Sequence, residues 1–448
     1  MTRTLKMTEG KPLKLLLSFA LPLMFGNVFQ QLYTVVDTAV VGRGVGLDAL
    51  AALGTVDWVN WLFLGIAQGF TQGFCVRISQ KYGEGDLQGL KRITGCSAAL
   101  SAVIAILGAI GGHLILPAFL QLLRVPEELL DMAQLYTRIL LAGFPAVMFY
   151  NYCSSVLRAV GDSKTPLRAM VTASLTNIAL DILAVFVLRW GIAGAAVATV
   201  LSQCLAGCLC AWRMYKTPQL RFSKEQLKPE AALSKDLVLI GMPVAAKNIV
   251  IALGGMAVQT VVNGFDMSFI AGFTATNKLY GLLEIAAISY GYAVTTYVGQ
   301  NFGAMKLDRI KSGMKAATFL SVATSLVIAA IMFLLGRQIT MLFISSESKE
   351  LMEAAGNTAY MYLCTMSAFL PVLYLLYAYQ AGLQGMGNTV IPMLSGVIEL
   401  CLRVGVSVAI GIYGHQNGIF FAEITAWTGA MIFLVTGYFR TYRKIAKQ

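Results

Sequence analysis

Twelve apolar runs, each about long enough to cross a bilayer, recur from one end of this 448-residue chain to the other. They lie near 14–42, 50–80, 92–123, 132–157, 165–188, 192–214, 237–263, 269–300, 313–342, 355–383, 389–412 and 417–439. A span needs about 20 mostly apolar residues. In hydrocarbon, only a helix or a closed barrel satisfies its own backbone polar groups. The short alternating segments of a barrel are absent. The expected fold is therefore an all-α integral membrane protein, with twelve transmembrane helices in two parallel six-helix lobes. Only 12% of the residues are charged, about half the share in a soluble globular protein. The first run is too long, and is followed by too many others, to read as a cleavable leader.

Thirty-four Lys and Arg stand against 22 Asp and Glu, a net charge of +12. These charges sit in the short breaks between apolar runs, so the excess does not mark a nucleic-acid partner. With the N-terminus placed on side one, 25 of the 34 basic residues fall on that side. Six fall on the other (Arg43, Arg124, Arg138, Arg189, Arg337, Lys349), and Lys247, Lys278 and Arg403 lie within spans. Loops rich in Lys and Arg stay in the cytoplasm, which places both termini there and the chain in the cell (plasma) membrane as a multi-pass protein. The eight cysteines lack zinc-like spacing, and the two histidines, His113 and His415, are far apart. No metal site beyond a possible Na+ is read.

The chain repeats itself. "LPL" at 21–23 matches "MPV" at 242–244, "ISQKYGEGD" at 78–86 matches "VGQNFGAMK" at 298–306, and "VGDSKTPL" at 160–167 matches "MGNTVIPM" at 386–393. The offsets are 221, 220 and 226, a register held across about 150 residues. Six helices per repeat return the chain to its starting side. The two halves are therefore parallel, as in rocking two-lobe carriers. The expected division is an N-lobe over 1–212, a polar cytoplasmic linker over 213–236 and a C-lobe over 237–448.

The first span carries a polar stripe. Asn27, Gln30, Gln31, Thr34, Asp37 and Thr38 recur at three- and four-residue spacing and share one helical face. Amides and hydroxyls there fit an interhelix seam. A carboxylate does not, because a neutral Asn would pack at less cost and an acid in hydrocarbon costs about 2.5–3.5 kcal/mol on insertion scales. A second acid, Asp181, lies four residues after Asn177 in the fifth span. By the repeat offsets, position 37 maps near Val258 and position 181 near Ser407, so the second half lacks both acids. A function confined to the first lobe follows. Two facing carboxylates either share a proton or, with neighbouring oxygens, hold a hard cation such as Na+. Pro22, in the first span, licenses a kink or a helix start.

Other intramembrane charges have bland readings available. Glu399 and Arg403 stand at i,i+4 with the acid first and read as a structural ion pair. Glu284 could attract a cationic substrate or pair with Lys247. Asp57, near the expected start of the second span, reads as a cap or interface residue.

The twelve spans in two parallel halves, "LPLMFGNVFQQLYTVVDTAVVG", "GDSKTPL" and "NIALDILAVF" together resemble the multidrug and toxic compound extrusion (MATE) transporters. The likeness covers nearly the whole chain. It implies a first-lobe cation site at Tyr33, Asp37, Asn177, Asp181 and Thr199, and a bend of the first helix at Pro22. One branch of that family has an acid in helix 7; here that helix carries Lys247 and no acid. The implied function is secondary active antiport: organic, amphipathic or cationic compounds leave in exchange for H+ or Na+ by alternating access. Asn27, Gln30, Gln31, Thr34 and Glu284 are the residues expected at the substrate cavity. No enzyme is expected, since neither a nucleophile–base arrangement nor a Walker lysine loop is present. No cofactor is expected beyond the coupling ion. The partners are small organic substrates and membrane lipid, not nucleic acid, and the chain is read as functional as a monomer. A lipid-linked oligosaccharide flippase of the same wider superfamily is the alternative; it would need more than the three basic residues found within spans.

Overall fold

A computed structural model describes residues 4–123, 125–344, 349–413 and 415–447, so Arg124 lies outside the described residues. Every long apolar run is helical, and no strand occurs among the described residues. In the first half, α1 (Pro12–Gly44), α2 (Leu47–Glu84) and α3 (Leu87–Leu122) each cross once. α4 (Glu127–Ala142) and α5 (Phe144–Ala159) make one crossing bent by 44°, and α6 (Lys164–Ile182) and α7 (Gly191–Lys216) complete the six. The second half repeats this with α8 (Ala231–Val262), then α9 (Met267–Leu283) and α10 (Ile285–Gly303) broken at Glu284, then α11 (Leu307–Met341). α12 (Lys349–Ala368) and α13 (Leu370–Gly385) form a crossing bent by 48°, followed by α14 (Val390–Tyr413) and α15 (Phe420–Ile445). Counting each bent or broken pair once, the described residues hold twelve helical segments in the order of the twelve apolar runs.

The repeat seen in the sequence extends to its turns. Each bent crossing restarts at a proline, Pro145 in α5 and Pro371 in α13, where a missing N–H does no harm in the first helical turn. Gly161 and Gly387 stand at the same offset and share φ values of 88° and 87°, a left-handed turn that glycine adopts without strain. The residue after each glycine caps the next helix. Asp162 Oδ1 accepts from Thr165 N at 3.0 Å, and Asn388 Oδ1 accepts from Ile391 N at 3.2 Å.

The chain divides into two compact units. The first comprises Leu21–Ala245 with Gly303–Met305 and the chain before Glu9; the second comprises Glu9–Ala20, Ala246–Phe302 and Lys306–Gln448. α1 and α8 each contribute to both, and each divides beside a proline, Pro22 or Pro243. Within the first unit, α5 and α6 pack on α7; within the second, α13 and α14 pack on α15, the same arrangement one repeat later.

In the first unit the start of α8 lies against α2 through small residues. A Cβ on Gly69 would come within 2.3 Å of Ala245 Cα, and one on Gly73 within 2.4 Å of Gly241 Cα. Such close backbone approach replaces the hydrophobic drive that helices lack in lipid. Arg77 continues the contact with a bidentate pair to Asp236, at 2.8 and 2.6 Å. Both side chains are about a third exposed or more, so the pair adds about 1 kcal/mol at most. The core beside it is built from Phe74, Ile78, Cys153, Val156 and Cys210, all nearly inaccessible.

Candidate cation site

α1 of the first unit presents two unlike faces. Phe25, Leu32 and Val35 are more than half exposed on one side. On the other, Asp37 is only 7% exposed. Its carboxyl faces that of Asp181, which α6 carries at full burial. Asp181 is the next-to-last residue of α6, and the five residues that follow, Leu183–Val187, form a π-helical turn. Such turns interrupt the regular ladder and gather at functional positions.

Asn177, one turn before Asp181, donates from Nδ2 to Thr199 Oγ1 of α7 at 3.5 Å. That bond leaves the Asn177 carbonyl oxygen unpartnered. Asp37 Oδ1 and both oxygens of Asp181 are likewise buried with no hydrogen-bond partner. Four orphaned oxygens at one place are costly for a folded chain. They form a hard, anionic donor set, suited to one proton shared between the acids or to a small cation held by carboxylate and amide oxygens. A cavity of about 10 Å³ lies alongside, lined by Tyr33, Asn177, Thr199, Ser202 and Gln203 among others. That is room for about one water-sized occupant.

Tyr33 reaches this cavity from α1 while its ring packs on the core cluster. Tyr33, Asp37, Asn177, Asp181 and Thr199 are therefore neighbours, as expected. Of the remaining α1 stripe, Gln30 and Thr34 lie against the Tyr33 side chain. Thr34 and Thr38 are exposed, and their hydroxyls donate to the Gln30 and Thr34 carbonyls of their own helix at 3.0 and 2.8 Å. Asn27, Gln30 and Gln31 are half-buried. Pro22 lies inside a continuous helix.

Two neighbours, Gln203 and Tyr136, escaped the sequence reading. Gln203 lines the cavity with its Oε1 buried and unpartnered. Tyr136 of α4 is buried within electrostatic reach of Tyr33, Asp37 and Asp181. Asp57, read as a cap or interface residue, stands within electrostatic reach of Asp37, at the point where α2 bends by 42° before Val59. The equivalent positions of the second half hold a buried Val258 and a buried Ser407 whose hydroxyl has no partner.

The second unit carries a different cluster. Arg403 Nη2 lies 3.5 Å from Glu399 Oε2, so the expected i,i+4 contact is present. The guanidinium makes its shorter bonds to Glu423 of α15, 2.7 Å from Nη2 and 2.9 Å from Nε. Glu423→Gln is therefore expected to lower the thermal stability of the purified protein more than Glu399→Gln does. Breaking a buried ion pair costs on the order of 3 kcal/mol, less here because the Glu423 side chain is 16% exposed. Equal melting temperatures for the two variants in detergent would contradict this ranking.

Residues 22–183 and 243–409 match the MatE family, one block in each half of the chain. The chain belongs to the MATE family. Among its relatives, the probable multidrug resistance protein YpnP of Bacillus subtilis is 32% identical over 296 residues. That match covers 66% of this MATE protein and 66% of YpnP, just under two thirds of each. Two solved structures share the fold over 100% of both chains. An outward-facing multidrug resistance MATE family transporter superposes with a TM-score of 0.92 at 22% identity. A MOP superfamily transporter from Pyrococcus furiosus superposes with 0.93 at 22% identity.

Proposed function

We propose that this MATE protein is a secondary active antiporter of the cell membrane, expelling organic, amphipathic or cationic compounds in exchange for inward H+ or Na+. The observation that carries the reading is the pair Asp37 and Asp181: two buried acids with Asn177, four orphaned oxygens and a one-water cavity, in one half of an otherwise repeated fold. A scaffold role would call for the pair in both halves. Cation entry neutralises the acids and removes their repulsion and desolvation cost. The polar face of α1 then repacks, and the substrate pathway loses affinity. Substrate and cation compete through one conformational equilibrium, which makes exchange obligatory. YpnP's name, a probable multidrug resistance protein, supports a drug-like organic cargo. The 25-to-6 split of Lys and Arg supports cytoplasmic termini.

Two experiments test this. Reconstituted in proteoliposomes, the protein should move a dye such as ethidium against its gradient when an opposing Na+ or pH gradient is imposed; movement under neither would overturn the antiporter. In sealed cells, with one cysteine per protein, an impermeant maleimide should label position 45 or 415 but not 224. Labelling at 224 would reverse the orientation.

A further inference from the structure

Five ionisable side chains meet in the second unit: Lys247 of α8, Glu284 at the break between α9 and α10, Glu399 and Arg403 of α14, and Glu423 of α15. Three are acids and two are bases. Arg403 is occupied by Glu423 and Glu399. Lys247 Nζ donates to Gln380 Oε1 and lies 6.0 Å from the centroid of the Tyr377 ring. The Tyr377 hydroxyl donates to Glu284 Oε2 at 3.2 Å. Glu399 Oε1 is buried and has no hydrogen-bond partner.

The cluster has a buried side and a partly exposed side, its mouth. Lys247, Glu399 and Arg403 are 3–4% exposed, whereas Glu284, Tyr280, Tyr377 and Gln380 are each partly open. Both cations are fitted to their places by glycines. A Cβ on Gly396 of α14 would sit 2.8 Å from Lys247 Cγ, and one on Gly254 of α8 would sit 3.3 Å from Arg403 Cδ. Each helix leaves room for the other's cation, so the lysine is built in rather than tolerated.

A buried charge must be balanced. With all five ionised, three acids against two bases leave the cluster one positive charge short, and the acid without a direct cationic partner is Glu284, at the partly exposed end. We propose that Lys247 sets the charge class of the cargo: by holding the excess at one negative charge, it makes the mouth at Glu284, between Tyr280 and Tyr377, a seat for a monocation and a poor one for a dication. Tyr280 stacks on Trp427 and Tyr377 lies under Lys247, so the aromatic surface beside Glu284 suits a flat cation, and Lys247 supplies the repulsion that rejects a second positive charge. This inference rests on the exporter reading above and concerns its selectivity alone.

Ethidium and propidium share a ring system and carry one and two positive charges, so their relative transport rates in proteoliposomes read the effect directly. The wild type should favour ethidium. Lys247→Met raises the excess to two and should shift the rate ratio toward propidium by about tenfold, a modest share of one added unit charge in a partly desolvated site. Lys247→Arg keeps the charge and should keep the wild-type ratio. Glu284→Gln removes the excess and should depress ethidium transport. The double variant Lys247→Met/Glu284→Gln restores an excess of one and should restore the wild-type preference, so a folding defect in either single variant leaves the idea testable. A ratio indifferent to Lys247→Met, or moved equally by Lys247→Arg, would refute the inference while leaving an active exporter. Failure of the wild type to move either dye would refute the exporter reading beneath it.

Discussion

Asp37→Asn is expected to abolish gradient-driven export, by about a hundredfold or more, while the protein still reaches the membrane. The magnitude is that of a typical coupling free energy between two sites. Asp37 is the α1 half of the acid pair, buried at 7% exposure with Oδ1 unpartnered. The substituted amide keeps the volume and removes the charge, so the site is held permanently in its neutralised form. Substrate then has no cation to compete with, and a gradient has nothing to act on. Fold stability should not fall, because a buried acid without a partner is a burden to the folded state. The repeat supplies the control: conservative changes at Val258 or Ser407, the equivalent buried positions of the second half, should leave coupling intact. Undiminished export by Asp37→Asn would remove Asp37 from the mechanism.

Asp181→Asn should match Asp37→Asn closely, since two carboxylates that face each other act as one site. Asn177→Ala then separates the coupling ions. A proton needs only a titratable acid. A Na+ ion also needs neutral oxygens, and the Asn177 carbonyl is one of the four left without a partner. If the ion is Na+, Asn177→Ala should reduce Na+-driven export by about tenfold or more, the usual loss on weakening a metal site. If the ion is H+, pH-driven export should survive it. Dye transport under each gradient in turn decides between them.

What could be read in advance follows from cost. Spans and acids were legible because hydrocarbon forbids unsatisfied backbone and taxes charge, leaving long apolar runs and conspicuous carboxylates. Asp37 and Asp181 stood out for that reason, and the repeat gave them a control. Gln203, in "LSQCLAG", did not, because one amide in an apolar helix looks like any interhelix seam. Tyr136 carries no sequence signal of its own. Glu423 follows "IFFA" near the start of the last span, where an acid reads as a helix-terminus residue; only the fold brings it to Arg403. The break at Glu284 falls inside "GLLEIAAIS", with no proline to announce it. The division of α8 was hidden too, although "GFTQG" at 69–73 and "GMPVA" at 241–245 hold the small residues that meet there. A pair of small residues at four-residue spacing shows that a helix can approach closely, not which helix it approaches.

The measurement closest to the mechanism is substrate affinity as a function of cation concentration, in wild type and in Asp37→Asn, on the purified protein with no membrane gradient. If cation and substrate compete through the acid pair, the wild-type dissociation constant for ethidium should rise as H+ or Na+ is raised, with one ion displaced per substrate bound. The same plot for Asp37→Asn should be flat. A variant whose affinity still falls with the cation as steeply as the wild type's would show that the competing site lies elsewhere, and that Asp37 does not link the two.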